Sequence, residues 1–363
     1  MTDTAKSKPV VFLDGDHVIA LAKAILARDE PGKAYARDFF LPEIVDMNAL
    51  SRLSEPLREN LATTALGPDD GRAGEAEVLV FRRGHVDRNL LDRFPRLKLI
   101  QRLGESPHMI DLDAARARGI AISCLPRQTL AHVAEHVILL SLCLLRQHKA
   151  AFGAFAESGA APGKIGDVSY NWPGITGIST LFGKTLGIIG MGEIGALLAE
   201  RAAAFGMHVL FTDSAPVAIP AIAALGARQV ELDELLAQSD IVSIHVPPRP
   251  DAAPLFGAAE IVAMRPGSLL INTSRGSLVD EDALYHALTS GRIAGAGLDV
   301  HAHEPRGPKD RFAALDNVVL TPHIGGGSRL GVLAEIAAIY ENIEAVLSGH
   351  LPTHGVIDTS EKG

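Results

Sequence analysis

The sequence has little cysteine, few aromatic residues and no excess of positive charge. Its two cysteines, Cys124 and Cys143, lie in apolar stretches without metal-ligand spacing around them, which predicts reduced, buried thiols and no metal site. The formal net charge of -9 argues against nucleic acid as a main partner. With 47% hydrophobic but only 5% aromatic residues, the composition suits an α/β protein rich in Ala, Val and Leu.

Long apolar runs are also scarce. The longest, 133–145, contains Glu135 and His136 and is too short to span a bilayer. The opening residues MTDTAKSK are polar and lack the apolar core of a signal peptide. These absences predict a cytoplasmic protein with no membrane segment.

The length and the patterning predict two α/β domains. A chain of 363 residues can bury a sizeable core and is expected to hold two domains. Strand and helix patterns alternate before about Pro126 and again after Asp213, and such alternation implies parallel sheets. Between them, 127–149 is predicted as one long helix, apolar on most faces and therefore buried, and 153–179 as a loop. Residues 352–358 are expected to return to the first unit.

One stretch has the pattern of a dinucleotide-binding unit. A short apolar strand at 185–189 is followed by Gly190, Gly192 and Gly195, which open a helix, and the next strand ends at Asp213. Three such glycines also occur in ordinary strand-to-helix turns. The strand before them and the acid about twenty residues later favour a dinucleotide site.

Each residue of this pattern has a physical role. Gly190 allows the tight turn, Gly192 lets a pyrophosphate approach the backbone, and Gly195 lets helix and strand pack closely. The phosphates would lie at the positive end of the helix dipole. Asp213 can accept hydrogen bonds from a ribose diol and would repel a 2′-phosphate, and no Arg or Lys follows directly, so NAD is predicted rather than NADP.

Three polar residues follow predicted strands and could carry hydroxy-acid chemistry. Arg275, Glu304 and His323 each come after a strand, and ligands of open α/β sheets bind at the carboxyl ends of the strands. An arginine offers a planar fork for a carboxylate. A histidine can exchange a proton with a hydroxyl group, and a carboxylate beside it favours the imidazolium. Taken singly, each could be an ordinary surface residue, but their joint placement around one crevice indicates function.

The motifs resemble those of a known family. Between about residues 77 and 356 the chain resembles the D-isomer-specific 2-hydroxyacid dehydrogenases, which include D-lactate, glycerate and D-3-phosphoglycerate dehydrogenases, in the segments LKLIQRLGE, VAEH, GKTLGIIGMGEIG, SIHVP, INTSRG, GAGLDV and LTPHIGG. The resemblance implies a Rossmann NAD-binding domain at 127–324. It also implies a flavodoxin-like parallel-sheet substrate domain formed by 1–126 and 325–363, a cleft between the two domains, and a homodimer.

The resemblance further implies roles for single residues. Arg275 would bind and polarise an α-keto acid, and Glu304 would pair with His323, which exchanges the proton. Contacts to NAD are implied for Gly190, Gly192, Glu193, Ile194, Asp213, His245, Val246, Pro247, Thr273, Ser274, Asp299 and Gly325. The predicted reaction is hydride transfer between NAD and a D-2-hydroxy acid or 2-keto acid of the phosphoglycerate, glycerate, hydroxypyruvate or a related type.

One loop departs from the family pattern. Relatives usually have G-x-G-x-D-N there, with backbone N–H groups that hold the substrate carboxylate, whereas this chain has GESPHM at 104–109. Ser106 replaces a glycine, Pro107 has no N–H group, and Glu105 adds a negative charge. Gly104, Glu105 and Ser106 are still predicted to contact substrate. The loop predicts an altered conformation, an unusual substrate or a loss of activity.

Arg83 is a further predicted contact, to a distal anionic group of the substrate. In phosphoglycerate dehydrogenases this stretch carries basic residues that meet the phosphate, and Arg102 also resembles that branch. The alternative is that Arg82 and Arg83 are solvated surface residues. Glu193 is unusual as well, because many relatives have arginine there, and cofactor affinity is expected to suffer.

Two other functions share part of this residue pattern. Formate dehydrogenases share the fold, but a glutamine stands in them where this chain has Glu304. An NAD(H)-sensing binding protein resembling the family's transcriptional co-repressors would keep Arg275, Glu304 and His323 too, so these residues alone do not exclude it. The altered loop at 104–109 is the best support for that alternative.

Overall fold

The computed structural model describes residues 7–156, 164–165, 168–169, 175–214, 217, 220–248, 253–307 and 310–358. The chain divides into two compact units. Unit 1 comprises Met1–Gln128 and Ser328–Gly363, and unit 2 comprises Thr129–Gly327. The functional roles predicted for the two domains stay predictions.

Unit 1 is built on a parallel sheet. Its described strands pair in the order β2-β1-β3-β4-β5, every neighbouring pair being parallel. The strands are β1 (Lys8–Phe12), β2 (Thr63–Leu66), β3 (Val78–Phe81), β4 (Leu99–Leu103) and β5 (Ala121–Leu125), and the helices are α1 (His17–Ala27), α2 (Glu30–Phe40), α3 (Met47–Leu53), α4 (Arg88–Asp92) and α5 (Leu112–Ala117). Apolar clusters cover both faces of the sheet.

All five of these helices begin after an aspartate. Each aspartate side chain accepts a hydrogen bond from a backbone N–H group in the first turn of its helix. Such caps satisfy N–H groups that have no partner within the helix. The capping residues are Asp16, Asp29, Asp46, Asp87 and Asp111.

Unit 2 begins with two helices rather than one. Helix α6 (Gln128–Leu145) ends before Gln147, whose φ of 52° lies in the left-handed region, and α7 (His148–Ala156) follows. The prediction of a single helix over 127–149 is therefore wrong, and the predicted loop from 153 begins inside α7. Lys164–Ile165 (β6) and Val168–Ser169 (β7) form a small antiparallel pair, and the rest of 157–174 lies outside the described residues.

Helix α6 is long and apolar enough to cross a membrane by length and composition alone, contrary to the sequence estimate. More than half of it is buried inside the protein. Leu140 and Leu144 lie over Gly297 and Gly295, where an added Cβ would approach their side chains to 2.9 and 3.1 Å. This packing is that of a core helix.

The large sheet of unit 2 has the Rossmann strand order. Its described strands run β10-β9-β8-β11-β12-β13-β14, all parallel, and the order reverses between β8 and β11. The strands are β8 (Thr185–Ile189), β9 (His208–Thr212), β10 (Arg228–Gln229), β11 (Ile241–Ile244), β12 (Leu269–Asn272), β13 (Gly295–Leu298) and β14 (Val318–Leu320), with helices α8 (Glu193–Ala204), α9 (Pro220–Ala224), α10 (Leu232–Gln238), α11 (Ala258–Ala263) and α12 (Glu281–Thr289). The α/β fold class with two parallel sheets is confirmed.

The end of the chain returns to unit 1, as expected. Helix α13 (Arg329–Leu347) packs on the same apolar cluster as α1. Beyond it, Gly355 O accepts a hydrogen bond from Cys124 N at 2.7 Å, and Ile357 N donates one to Ile122 O at 3.0 Å. The tail therefore pairs with β5. Cys124 is buried as predicted, whereas Cys143 is only half-buried.

Candidate active site

The three fingerprint glycines occupy different environments in the turn after β8. Gly190 has φ 96°, and a Cβ there would lie 2.8 Å from the Val246 side chain and 3.0 Å from the His245 backbone. A Cβ on Gly195 would lie 2.3 Å from the Gly190 oxygen. Gly192 has nothing within 4 Å of an added Cβ. The turn is thus closed on two sides and open at Gly192, where a phosphate could approach.

The open side faces the start of α8. Gly192 is the N-cap of this helix and supplies no capping side chain, and Glu193 and Ile194 are its first residues. Backbone N–H groups at a helix start attract anions. Nearby after β12, Thr273 is buried and its Oγ1 has no hydrogen-bond partner within the described residues. An open glycine and an unsatisfied hydroxyl group fit a dinucleotide.

Asp213 lies at the end of β9 and is half-buried. Its Oδ2 accepts a hydrogen bond from Met191 N at 2.8 Å, and its Oδ1 accepts one from Ser214 N at 2.7 Å. The carboxylate is therefore tied to the glycine turn. Oδ1 also accepts a hydrogen bond from Ser214 Oγ at 3.3 Å, whereas Oδ2 keeps a second lone pair for a ribose hydroxyl group.

The segment after β11 borders the same turn. His245 lies 2.8 Å from Ser243 through Nε2 and Oγ, and desolvation lowers the pKa of its ring to about 4, so that the ring is neutral at pH 7. Val246 O accepts a hydrogen bond from Ser274 Oγ at 2.8 Å, and Pro247 follows. The predicted cofactor contacts from β11 and β12 thus lie beside each other.

Glu304 and His323 form a direct pair. His323 Nδ1 donates to Glu304 Oε2 at 2.7 Å, the tautomer following from a carboxylate that only accepts. The other oxygen, Oε1, accepts from His301 N at 2.9 Å. Partial burial by itself raises the pKa of Glu304, but the hydrogen bonds from His323 and His301 outweigh it and hold that pKa below its usual value. The pair leaves His323 Nε2 for a substrate.

Asp299 fixes the loop that carries His323. Its buried carboxylate accepts hydrogen bonds from Thr321 Oγ1 at 2.6 Å and from Ile324 N and Gly325 N at 2.8 Å each. His136 Nε2 lies 2.9 Å from Thr321 Oγ1. His323 itself has φ 56°, a left-handed conformation that costs a non-glycine residue of order 1 kcal/mol.

The carboxylate of Asp299 and the N–H group of Gly325 already bind each other, and their predicted NAD contacts stay predictions. Burial by itself raises the pKa of Asp299. The His136 ring, whose Nε2 lies 3.4 Å from Asp299 Oδ1, and the hydrogen bonds from Thr321, Ile324 and Gly325 prevail and hold the pKa far below its usual value. A group of this kind contributes stability above its ordinary pKa, and that stability is lost as the pH falls through the folded-state value.

We therefore expect Asp299→Asn to lower the free energy of unfolding at pH 7 by about 3 kcal/mol, because an amide cannot accept all of these hydrogen bonds. The loss should shrink below about pH 4, where the unfolded carboxyl group is protonated. Urea unfolding at pH 7 and pH 3 measures both effects. Asp316→Asn, at an exposed carboxylate, is the control and should change the free energy by less than about 0.5 kcal/mol. An equal loss at both pH values would contradict this assignment.

Arg275 follows β12 and is exposed. Its Nη1 donates to its neighbour Ser274 O at 2.6 Å, while Asn272 Nδ2 donates to Arg275 O at 2.9 Å. Because β12, β13 and β14 are neighbours in the sheet, Arg275, Glu304 and His323 stand after three consecutive strands. Among the described residues, no group of three or more His, Cys, Asp or Glu side chains could hold a metal ion.

Four predicted substrate contacts belong to unit 1. Arg83 is mostly exposed, and its Nη2 lies 3.6 Å from Asp16 Oδ2. Arg82 makes a much closer ion pair with the same carboxylate. Burial by itself raises the pKa of Asp16, but Arg82 outweighs it and the pKa lies below the usual value. Arg82 is therefore held by Asp16, whereas Arg83 stays mostly exposed, and its predicted substrate contact stays a prediction.

The altered loop begins with an N–H group that is already bonded. Gly104 N donates to Leu125 O at 2.8 Å, which removes one donor expected for a substrate carboxylate. Glu105 is exposed, and Ser106 Oγ lies 2.6 Å from His108 Nδ1. The loop therefore has its own local hydrogen bonds. Its predicted substrate contacts stay predictions.

Arg102 lies on β4, and the sequence indicates no role for it beyond its resemblance to the phosphoglycerate dehydrogenases. Its side chain is 8% exposed, and its Nε and Nη1 have no hydrogen-bond partner in the part of unit 1 that the structure describes. The guanidinium lies against Gly104, where a Cβ would be 3.1 Å from Cζ. A buried charge without an anion is costly.

Comparison with known proteins gives the fold a family. Residues 165–325 match the model of the D-isomer specific 2-hydroxyacid dehydrogenase NAD binding domain. A glyoxylate reductase of Thermococcus litoralis is 38% identical over 267 residues, covering 74% of this chain and 79% of its own. The chain belongs to the D-isomer specific 2-hydroxyacid dehydrogenase family. Residues 165–325 form its NAD-binding domain.

Other members of this 2-hydroxyacid dehydrogenase family differ in length. A D-3-phosphoglycerate dehydrogenase of Mycobacterium bovis is 36% identical over 290 residues, which are 78% of this chain but 52% of the relative. The chain thus spans about half the length of that protein. The crystal structure of a glyoxylate reductase from Paecilomyes thermophila aligns with a TM-score of 0.58 at 27% identity, covering 98% of this chain and all of that one.

Proposed function

We propose that the chain is an NAD-dependent D-2-hydroxyacid dehydrogenase, which moves a hydride between nicotinamide and a D-2-hydroxy acid or its 2-keto acid. The observation that carries the proposal is the 2.7 Å pair of His323 and Glu304. Arg275, Glu304 and His323 follow β12, β13 and β14, three strands that lie in this order in the sheet. One edge of the sheet thus carries His323 to exchange the proton, Glu304 to pair with it, and the Arg275 cation to bind a substrate carboxylate.

His323 manages the proton in this proposal. With Nδ1–H held by Glu304, the imidazolium donates the proton on Nε2 to the carbonyl oxygen of a keto acid as hydride reaches the carbon. In the opposite direction, the neutral ring takes the hydroxyl proton. Glu304 stabilises the imidazolium and fixes the ring orientation. Arg275 binds the carboxylate with its planar fork and polarises the carbonyl group.

The bound nicotinamide supplies or accepts the hydride, and unit 2 supplies its binding groups. Gly192 with the first turn of α8 would hold the pyrophosphate, Asp213 the adenosine ribose, and Thr273 a polar edge of the cofactor. Asp213 would repel a 2′-phosphate, so we propose NAD over NADP.

Asp213→Asn tests this cofactor preference. Removing the negative charge should weaken NADH binding and relieve the repulsion of NADPH. We expect the ratio of kcat/KM for NADH to that for NADPH to fall about tenfold or more, the size of one hydrogen bond to a charged group. Steady-state rates with both cofactors measure the ratio. Asp233→Asn, at an exposed carboxylate in α10, should leave it unchanged. An unchanged ratio in Asp213→Asn would refute the assignment.

We further propose that the substrate has a second anionic group and that Arg102 binds it. The support is a buried guanidinium near the carboxyl end of β4, two nitrogens of which have no hydrogen-bond partner among the described residues. Arg83, predicted from the sequence, already lies beside Asp16 and is the weaker candidate.

Arg102→Met should raise the KM for phosphohydroxypyruvate by about tenfold to a hundredfold, the range for charge-assisted hydrogen bonds. The KM for hydroxypyruvate should change little. Folding stability should hold or increase, because the change removes an uncompensated buried charge. Arg83→Ala is the comparison and should have the smaller effect. Equal KM changes for the two acids would rule out a distal contact.

A homodimer formed through unit 2 is also proposed. Leu139 on α6 is 51% exposed, Phe182 is 75% exposed and Phe205 is 45% exposed. Phe182 lies against Gly206, the neighbour of Phe205, and exposed apolar side chains that adjoin each other mark interfaces, unlike single ones. The family resemblance also implies a dimer.

The alternative is an NAD(H)-sensing binding protein with little catalysis. It is favoured by one observation, the use of Gly104 N by Leu125 O. NADH consumption against glyoxylate, hydroxypyruvate, pyruvate, phosphohydroxypyruvate and bulkier 2-keto acids distinguishes the two. Turnover supports the dehydrogenase, whereas NADH binding without turnover of any acid supports the sensor.

A further inference from the structure

We propose that His301 is a positioning residue, which holds Arg275, Glu304 and His323 in one arrangement. The inference rests on the proposed dehydrogenase function. His301 follows β13, is 7% exposed, and contacts all three segments that carry these residues. Neither its sequence position nor its type had marked it as functional.

The ring of His301 joins the Glu304 segment to the His323 segment. Its Nε2 lies 2.9 Å from Thr321 O, and because a carbonyl group only accepts, Nε2 carries the proton. Thr321 precedes His323 by two residues. The other ring nitrogen, Nδ1, is buried and has no hydrogen-bond partner within the described residues. The ring lines the same cavity of about 540 Å³ as Glu304 and His323.

The backbone of His301 orients the carboxylate. Its N–H group donates to Glu304 Oε1 at 2.9 Å, which leaves Oε2 to accept from His323 Nδ1 at 2.7 Å. The carboxylate is therefore held at both oxygens. The orientation of the Glu304 carboxylate toward the imidazole therefore depends on the position of the His301 backbone N–H group.

The same peptide supports the turn that carries Arg275. A Cβ on Gly276 would lie 1.9 Å from His301 C and 2.4 Å from Ala302 N, so the glycine packs directly on this peptide bond. One residue thus touches the segments after β12, β13 and β14. If the ring lost its bond to Thr321 O, the segment that carries His323 would shift relative to Glu304, while the His301–Ala302 peptide would still support the Arg275 turn.

Two substitutions separate the donor from the shape of the ring. His301→Phe keeps a flat ring but removes the N–H donor, and His301→Gln supplies an amide N–H donor of similar reach. His303→Phe, at an exposed histidine in the same segment, is the matched control. We expect His301→Phe to lower kcat for 2-keto-acid reduction by about tenfold to a hundredfold, the cost of a misplacement near 1 Å.

The other constants should change less. KM and the NADH dissociation constant should stay within about threefold, since unit 2 keeps its binding groups, and His301→Gln should recover most of kcat. In a Glu304→Gln background, His301→Phe should cost less than about threefold, because the two residues act through the same imidazole. His303→Phe should behave as the wild type.

Each remaining outcome overturns the inference. An unchanged kcat in His301→Phe, an equal loss in His301→Gln, or an undiminished loss in the Glu304→Gln background would show that His301 does not position the imidazole. If the wild-type chain turned over no 2-keto acid, the proposed dehydrogenase function would fail and the inference with it. If the wild type turns over a 2-keto acid but one of these three results for the His301 variants is found, only the positioning role fails and the proposed dehydrogenase function stands.

Discussion

His323→Ala is expected to lower kcat for 2-keto-acid reduction by about a hundredfold to ten-thousandfold, the usual contribution of a general acid. The imidazole pairs with Glu304 through Nδ1, and an alanine side chain at position 323 cannot donate a proton. NADH binding should persist, because the glycine turn and Asp213 are untouched. Stopped-flow single turnover with NADH and a saturating keto acid measures the loss.

A control variant and the pH dependence of the two reaction directions test the role of His323 further. His286→Ala, on α12, should leave kcat within about twofold, as expected for a histidine outside the chemistry. Reduction needs the imidazolium and oxidation needs the neutral ring, so reduction should hold at lower pH than oxidation. A shared pH optimum in both directions would contradict the role of His323, as would full activity in the alanine variant.

Arg275→Ala is expected to lower kcat/KM by about a thousandfold, and Arg275→Lys by about a hundredfold. The planar guanidinium can bind a carboxylate through two parallel hydrogen bonds and polarise the carbonyl group beside it. A lysine keeps the charge but not the fork. Initial rates over a wide range of keto-acid concentration separate kcat from KM.

Guanidinium in solution offers a further check on Arg275. Added guanidinium should restore part of the activity of Arg275→Ala, because it supplies the same planar donor set, and should do nothing for Arg275→Lys. Arg265→Ala, whose guanidinium pairs with Asp240 at 2.5 Å, is the control for a lost surface arginine. A loss in Arg275→Lys as small as the loss in Arg265→Ala would remove Arg275 from carboxylate binding.

The parts of the fold that the sequence predicted are those with continuous apolar runs. Strands such as β8 and β12 are buried along almost their whole length, so composition alone indicates them. Helix α2 was missed because only Gly32, Ala36 and Phe40 face the core, and two of these are small. The edge strand β2 was missed too, since Thr63 and Thr64 carry little apolar signal.

The break between α6 and α7 has another cause. Gln147 takes a left-handed conformation with φ 52°, and no glycine or proline marks the position in the sequence. Pattern-based reasoning extends a helix through such a residue, because the termination signal lies in tertiary packing rather than in the residue type.

Within the candidate site, residues that follow neighbouring strands could be predicted, whereas backbone-mediated contacts could not. Arg275, Glu304 and His323 each follow a strand, and the parallel order places strand ends side by side. The His301 bond goes to the Thr321 carbonyl, and any residue at 321 would offer the same group. Nor does the sequence show that Arg102 Nε and Nη1 have no hydrogen-bond partner among the described residues, because this depends on which side chains the fold brings near them.

The contact of Gly276 with the His301–Ala302 peptide limits which residues can replace this glycine during evolution. The nearest atoms to an added Cβ are backbone atoms at 1.9 to 2.4 Å, which no change of rotamer can move. An alanine at 276 would therefore displace the arginine turn, whatever else was mutated around it. We therefore expect a related sequence that lacks this glycine to be inactive, even where Arg275, Glu304 and His323 are all present.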